Sequence, residues 1–484
     1  MTEDAGALEQ KRTRALRGIS VVLAVGFAVW AFADDPWVGG GPGFGATQAA
    51  LLAIGVALAA SALLPFAWNA RAVAVVVSTF SSLLLAECAL ELTLAPRYRS
   101  LFEADPDAIV RLIPGAKHAL TRPPEQGGLE VSYRVNRAGY RGPELAENPA
   151  ARVVVYGDSF IQADYSNDEG TFALQLQARL QKELGPGIEV VNAGVASYGP
   201  DQALVRMERE LPGLAPDLVV VGIFTGNDFG DLLRNKLFRL DENGELRENE
   251  FKIDPELERR IRVHRKEAMV KRIGREAAKG LLARLGLHAE SIAPHAAPLA
   301  RLEGMTAQER VEAFIAQHEA EYQEYIVQGN DIVRDLAADT FDADVSLLPD
   351  APATRYKLAM IEQVIRRMRT NVNRLGVPMV LMPIPHPTDV GGHPSAQIDI
   401  TRYPQYHPHR MVGLLEDIAK RQELPCVDLF TPFTRRGSAE LYFPGYDDHW
   451  NESGQALAAE VVSRFVIDRG LLAAPPVAPR TSER

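Results

Sequence analysis

Apolar and polar positions follow three different patterns along the chain. Near the N-terminus the apolar positions are almost unbroken, in runs from Gly18 to Ala33, from Ala46 to Trp68 and from Ala72 to about Ala86. A membrane-spanning helix needs ~20 mostly apolar residues. The second run meets that easily, and the first and third need their flanking residues. Beyond Tyr98 the chain turns polar, and Leu129–Val135 alternates apolar and polar side chains, as a half-buried strand does. Short apolar strands separated by helical periods come next. Val153–Tyr156, Ile188–Val191, Leu218–Phe224, Val377–Met382 and Leu424–Leu429 are the expected strands. Thr171–Leu184 and Asp201–Leu211 are the first two expected helices, and Gly185-Pro186-Gly187 stops the first of them. Strands apolar on both faces and alternating with helices predict an α/β fold with a five-stranded parallel sheet.

These patterns divide the chain. Residues 1–97 form a helical membrane region with about three transmembrane helices. Residues 98–150 form a linker and short β prelude, and 151–470 the main domain. The main domain carries a largely helical insertion at about 236–355, and 471–484 is a Pro-rich polar tail expected to be disordered. Within the insertion, Asn243-Gly244 between short charged strands reads as a hairpin turn. From Glu256 to Leu287 a helical stretch carries Arg259, Arg260, Arg262, Arg265, Lys271, Arg272 and Arg275 among Ile261, Met269, Val270 and Ile273. It reads either as a solvated helix face or as a basic amphipathic lid on anionic headgroups or a charged glycan.

Charge sets the orientation. Lys11, Arg12, Arg14, Arg17 and Arg71 belong on the cytoplasmic side, and Asp34 and Asp35 outside. Three spans then place everything after Arg97 outside the cytoplasm, in a multi-pass inner-membrane protein. The first run could instead be a cleaved signal peptide, with Ala31-Phe32-Ala33 before Asp34; the domain would still lie outside. Glu87 and Glu91 sit one helical turn apart near the outer end of the third run and read as an interfacial pair answered by Arg97 or Arg99. The net charge of −11 argues against a nucleic-acid partner. The two cysteines, Cys88 in an apolar run and Cys426 in an expected strand, suggest neither a disulfide nor a zinc site.

Candidate chemistry gathers at strand ends, where open α/β sheets place their ligands. Gly157-Asp158-Ser159 follows the first strand, Asn192-Ala193-Gly194 the second, and Thr225-Gly226-Asn227-Asp228 the third. Asp447-Asp448-His449-Trp450 precedes a helix for which Asn451 is the expected N-cap. Each block alone has a plain structural reading as a turn, a cap or a buried histidine. Together they offer a hydroxyl nucleophile, an imidazole base, a carboxylate and oxyanion donors. His386, in Pro385-His386-Pro387, reads as a pocket or loop residue. His393, His407 and His409 match no familiar metal spacing, so no metal and no cofactor is expected.

In this order the blocks resemble the SGNH/GDSL hydrolase superfamily. The prelude Val135-Asn136 with Gly139-Tyr140-Arg141-Gly142 is similar to its membrane-anchored bacterial members. The resemblance covers about Ala150 to Gly470 without the insertion. It implies a flavodoxin-like three-layer sandwich and ester hydrolysis or acyl transfer. It also implies Ser159 as nucleophile, His449 as base, and Ser159, Gly194 and Asn227 as the oxyanion hole. Thr225 stands where the family has Gly, and Tyr446 where it has the triad Asp. The acid therefore has to be Asp447 or Asp448. In an extended segment Asp447 and His449 share a side and Asp448 faces away, which selects Asp447. The function expected is a membrane-anchored, extracytoplasmic serine esterase or O-acyltransferase. Its expected substrates are acyl or acetyl esters of a cell-surface glycan, with the bilayer and envelope-polysaccharide machinery as partners. The alternatives are a lipase-type esterase on membrane lipids and a catalytically silent scaffold.

Overall fold

The computed structural model describes residues 2–33, 44–266, 268–274, 305–334, 341–391, 398–445 and 447–472. The expectations for Asp34, Asp35, Arg275, His393, Tyr446 and the tail from Pro475, and for the side chains of Arg262 and Arg265, fall outside what is described. The chain forms two compact units, Met1–Ser100 with Glu258–Ser291, and Leu101–Leu257 with Ile292–Arg484.

The first unit is built on α1 (Thr2–Ala31), α2 (Ala46–Ser61) and α3 (Phe66–Tyr98). Two stretches are long and apolar enough to cross a bilayer, Gly6–Ala31 and Phe66–Arg97. The second apolar run, expected to span with ease, yields only the 16-residue α2, because the chain turns after Ser61 and Pro65 begins the next helix. At ~1.5 Å per residue α2 is about 24 Å long, against a ~30 Å hydrocarbon core.

Side-chain contacts fix the directions of the three helices. Ala31 packs on Leu51, and Gly55 lies so close to α1 that a Cβ there would meet the Ala24 carbonyl oxygen at 2.9 Å. Ser20 and Ser61 both donate to Asn69 Oδ1, at 2.7 and 2.9 Å. Small residues at a helix contact and a shared polar side chain are the usual means of joining helices where burial gives no driving force. Descending α1 from Ala31 to Ser20 therefore ascends α2 from Leu51 to Ser61, so the two are antiparallel. Phe80 of α3 packs on Phe27 and Trp30, with ring centroids 4.8 and 6.3 Å apart. With Asn69 level with Ser20, α3 runs in the direction of α1.

Near the C-terminal end of α3, Arg99 pairs with Glu91. Glu87 accepts the Met269 and Val270 N–H groups at 2.8 and 2.9 Å. It thereby caps the helix that starts at residue 269, whose first donors have no partner of their own.

The second unit opens with two antiparallel pairs. These are β1 (Phe102–Asp105) with β2 (Ile109–Leu112), and β3 (Lys117–Thr121) with β4 (Glu130–Arg134). The main domain follows as β5 (Ala151–Gly157), α4 (Ser159–Gln162), α5 (Phe172–Leu184), β6 (Ile188–Gly194), α6 (Pro200–Leu214), β7 (Leu218–Phe224) and α7 (Asp228–Asn235). The insertion supplies β8 (Phe238–Leu240), β9 (Leu246–Glu248), β10 (Lys252–Ile253), α8 (Pro255–Lys266), which from Glu258 on belongs to the first unit, α9 (Ala307–Tyr322), β11 (Ile332–Val333) and α10 (Ala343–Leu347). The chain ends with α11 (Pro352–Asn373), β12 (Met379–Ile384), α12 (Pro387–Val390), α13 (Arg410–Arg421), α14 (Phe430–Arg436), α15 (Ser438–Leu441) and α16 (Glu452–Asp468). Local chemistry sets several boundaries. Thr171 caps α5, Gly244 turns the β8–β9 hairpin with φ of 77°, and Thr306 with Glu309 forms a capping box on α9.

The sheet is parallel in the order β12-β7-β5-β6. The expected fifth strand is not one. Cys426 makes a single parallel bridge to Leu381, because Pro425 has no N–H to continue the ladder. Val153 and Val155 of β5 pack with Phe172, Leu176 and Leu180 of α5 and with Leu457, Ala458 and Val462 of α16, all in one buried cluster. Register aligns the ends of β5 and β6, with Gly157 opposite Gly194. The loops after β5, β6 and β7 therefore open at one edge of the sheet.

Two buried carboxyls are tuned by this packing. Burial pushes Asp201 up to about 7 against hydrogen bonds from Asn235 and the Gln202 N–H. It pushes Asp389 up to about 7 against the Tyr406 hydroxyl at 2.6 Å. The folded protein then holds protons that the unfolded chain has released, so stability falls as pH rises from about 4 to about 7. Asp201→Asn with Asp389→Asn should shrink the difference in melting temperature between about pH 5 and about pH 8. An unchanged difference would show that these carboxyls do not titrate there.

Candidate active site

Ser159 stands directly after the central strand. Asp158 caps the short α4 through a 2.9 Å bond from the Phe160 N–H, which presents Ser159 as the first helical residue. Gly157 admits this turn because a Cβ would meet Ile161 Cγ1 at 2.5 Å. Arg141, from the Gly139–Gly142 block, is buried against the other end of α4. Its guanidinium donates to the carbonyls of Gln162 and Ala163, and to Ser166 O at 2.6 Å. The prelude motif thus braces the turn that carries the hydroxyl.

His449 comes from the far end of the sequence. Its Nε2 lies 2.8 Å from Ser159 Oγ, and its Nδ1 2.8 Å from Asp447 Oδ1. A carboxylate only accepts, so Nδ1 carries the proton and Nε2 presents its lone pair to the hydroxyl. The ring is clamped by Phe160, stacked at 5.0 Å, and by Tyr165, edge-on at 5.7 Å. Asp447 Oδ1 also accepts the backbone N–H of His449 at 3.0 Å, so the segment forms a tight side-chain turn rather than an extended strand. Asp448 accordingly does not face away. Its Oδ1 is 3.4 Å from His449 Nδ1 and its Oδ2 3.9 Å from His386 Nε2. Burial raises the Asp447 carboxyl, but the His449 ring and the bonds from His449 and Gln126 outweigh it and leave it below the ordinary value.

Gln126 was not legible as a site residue. It lies in the turn between β3 and β4 and donates through Nε2 to Asp447 Oδ2 at 2.7 Å. The same turn is anchored by Arg122, which pairs with Glu452, donates to Tyr165 O at 2.7 Å and lies over the Phe443 ring. In the sequence, Gln126-Gly127-Gly128 is an ordinary hairpin tip. Only tertiary folding brings it to the acid.

Of the expected oxyanion donors, Gly194 is placed differently. Its N–H donates to Asn192 Oδ1 at 3.1 Å, and a Cβ on it would meet Gln162 N at 2.5 Å. The donor expected there is engaged inside the turn, and the absent side chain serves the close approach of α4. Asn227 heads α7 and is half-buried, with its carbonyl held by Arg234 Nη2 at 3.2 Å. The Thr225 hydroxyl accepts the His386 N–H at 3.0 Å, so the residue in place of glycine ties the β7 loop to the β12 loop. Gly226 is needed for space rather than for an unusual φ, since a Cβ would meet the Phe224 ring at 2.2 Å. His386 shapes its own loop, accepting the Thr388 N–H at Nδ1 and stacking on Phe341. His407 and His409 lie together just before α13, their rings 6.5 Å apart, and His409 pairs with Glu416.

No protein-family model and no curated protein matches the chain. Among solved structures it is similar to TesA, at 13% identity over 66% of this chain and 99% of that one, with a TM-score of 0.33. It is also similar to Axe2, an acetylxylan esterase from Geobacillus stearothermophilus, at 12% identity over 66% and 96% with a TM-score of 0.33. A lipase/acylhydrolase from Enterococcus faecalis matches at 12% identity over 68% and 100% with a TM-score of 0.29. Likeness at this level carries no inference about activity; the side-chain geometry has to.

The geometry makes a specific prediction about the acid. Asp447→Asn should lower turnover of an activated ester by about two to four orders of magnitude, because the imidazolium loses its charge partner. Gln126→Leu, which removes one bond to that carboxylate, should cost roughly tenfold. Asp448→Asn should cost less than Gln126→Leu. A crippling Asp448→Asn beside a nearly silent Asp447→Asn would reverse the assignment. In structure the chain is similar to these esterases and acylhydrolases, and in its ordered blocks it resembles the SGNH/GDSL hydrolases.

Proposed function

We propose that the protein is a membrane-anchored serine esterase or O-acyltransferase of SGNH type. The observation that carries this reading is the continuous relay from Ser159 Oγ through the His449 ring to Asp447, with both links at 2.8 Å. A serine hydroxyl becomes a competent nucleophile only when a base removes its proton. His449 Nε2 is placed to take that proton as Oγ bonds to the carbonyl carbon of an ester. The tetrahedral oxyanion would be held by the Ser159 N–H and the Asn227 amide, and each such donor lowers the barrier by ~3 kcal/mol. The proton on His449 then passes to the departing alkoxide as the ester C–O bond breaks, leaving an acyl group on Ser159. Water attacking that acyl-enzyme gives hydrolysis, and a sugar hydroxyl attacking it gives transfer. In both cases His449 takes the proton of the attacking group and returns it to Ser159.

In this reading a flavodoxin-like sandwich forms the catalytic layer, with the segment at Cys426 as a vestigial fifth strand. The helical region anchors the protein in the cytoplasmic membrane. Helix directions support an outward catalytic domain, since α1 and α3 run the same way and α2 returns between them. A basic N-terminus inside then puts Arg97 outside. The short α2 would cross with its ends at the interfaces or with local thinning of the bilayer. A catalytic domain tethered outside the cytoplasm favours acyl esters of a cell-surface glycan as substrate, a step from place to function that fold analogy alone would not justify.

Two measurements test the reading. Ser159→Ala should abolish covalent labelling by a fluorophosphonate while leaving the melting temperature unchanged. Equal labelling of variant and parent would remove Ser159 from the chemistry. A phosphatase reporter fused after Arg484 should be active in intact cells. Activity confined to a reporter that works only in the cytoplasm would place the catalytic domain inside and remove the surface glycan from reach.

A further inference from the structure

Behind the Asn227 loop lies a buried cluster that the relay does not use. His318, Asp342 and Lys357 are fully buried, and Asp344 nearly so. They come from α9, from the end of the insertion and from α11, and no spacing in the sequence links them. Lys357 Nζ sits between two carboxylates, 2.9 Å from Asp342 Oδ1 and 2.8 Å from Asp344 Oδ1. The ammonium stands where a cation would have to stand to hold these acids together. Burial works against its charge, but the two aspartates outweigh that and hold its pKa above the ordinary lysine value. Lys357 in turn keeps Asp344 below the ordinary carboxyl value against its own burial.

Asp342 connects this cluster to the loop. Its N–H donates to Gly226 O at 2.6 Å, on one side of Asn227. Its Oδ2 accepts the Gly230 N–H at 3.0 Å, on the other side. A side chain at Gly230 would come within 2.7 Å of Asp342 Oδ1 and 3.0 Å of the His318 ring, so glycine is what lets the clamp close. His318 Nε2 lies 3.1 Å from Phe341 O, which fixes the residue before Asp342. Two bonds of this set, both made by Asp342, fall on the backbone flanking Asn227, and none falls on Ser159, His449 or Asp447.

We propose that Lys357, acting through Asp342, is a positioning residue for Asn227. The buried ion cluster fixes the two flanks of the loop and thereby aims the Asn227 amide at the developing oxyanion. This rests on the assignment of Asn227 as an oxyanion donor. An amide that is aimed only when the clamp is closed contributes to the transition state and little to ground-state binding. Loosening the clamp should therefore lower kcat and leave KM nearly unchanged.

A double-mutant cycle on the detergent-solubilised full chain tests this, with p-nitrophenyl acetate as the ester and thermal unfolding as the check on folding. Asn227→Ala alone comes first; if it leaves kcat unchanged, the oxyanion assignment fails and the inference fails with it. If Asn227→Ala lowers kcat, Lys357→Met should lower it at least tenfold with KM within about twofold. In the Asn227→Ala background the same change should then cost less than twofold. Full multiplication of the two losses would show that Lys357 acts elsewhere and would overturn the proposal. So would an unchanged kcat in folded Lys357→Met. If Lys357→Met does not fold, Asp342→Asn replaces it in the same cycle, since it keeps the shape and the acceptor while removing the charge. Independent losses would overturn the proposal there as well.

Discussion

One hydrogen bond, from Ser159 to His449, joins residues 290 apart in the chain, and contacts at both of its ends hold it short. Asp158 and Gly157 fix the serine end. Phe160 and Tyr165 hold the imidazole ring from its face and its edge, and Asp447 sets its tautomer. The ring has little freedom left, so the relay is made before any ester arrives. Preorganisation of this kind is where catalytic sites gain most over water, because the donors need not reorganise as charge develops. Its cost is conformational, and the buried β5 at the centre of the sheet supplies the rigid base on which those side chains stand.

Local chemistry was legible in the sequence wherever it was strong. Thr171, Asn451 and Asn243-Gly244 mark a helix start, a helix start and a hairpin because their side chains or backbone preferences act within a few residues. The four strands of the sheet were visible as apolar runs. The fifth was misread because an apolar run does not show that Pro425 lacks the donor a ladder needs. The second apolar run was overestimated for a related reason: hydropathy does not register where a turn ends one helix and Pro65 caps the next. The candidate blocks were visible from their order along the chain. What each residue does there depended on contacts that no spacing encodes. Gln126 reaches Asp447 across 321 residues, and Gly194 turned out to be a close-packing glycine whose N–H is already engaged. Asp447 was selected by an argument from extended geometry, whereas the segment is a turn that also leaves Asp448 near the ring.

The insertion is less separate from the site than its position in the sequence suggests. Its last segment carries Asp342, and its helix α9 carries His318. Lys357 paired with Asp342 and Asp344 places buried charges next to the β7 loop. Buried ion clusters are weak sources of net stability, because desolvation offsets most of the attraction. Their geometry is nevertheless demanding, since each charge needs its partner in one place. A cluster of that kind is better suited to defining where a loop sits than to strengthening the fold.

The cap that Glu87 places on residues 269 and 270 has a consequence for how the chain can be divided. A segment from the middle of the sequence belongs structurally to the N-terminal helices, through bonds that bridge 182 residues. A polypeptide begun at Leu101 to obtain the second unit without the N-terminal helices would lose the carboxylate that receives those N–H groups. Ala268, Met269 and Val270, the first two of them now buried, would then sit on a helix end with nothing to cover it. Deleting the N-terminal helices therefore does not remove all of the chain's apolar liability; it leaves part of it in the middle of the remaining polypeptide. The grouping of Glu258–Ser291 with Met1–Ser100 marks where a clean cut has to fall.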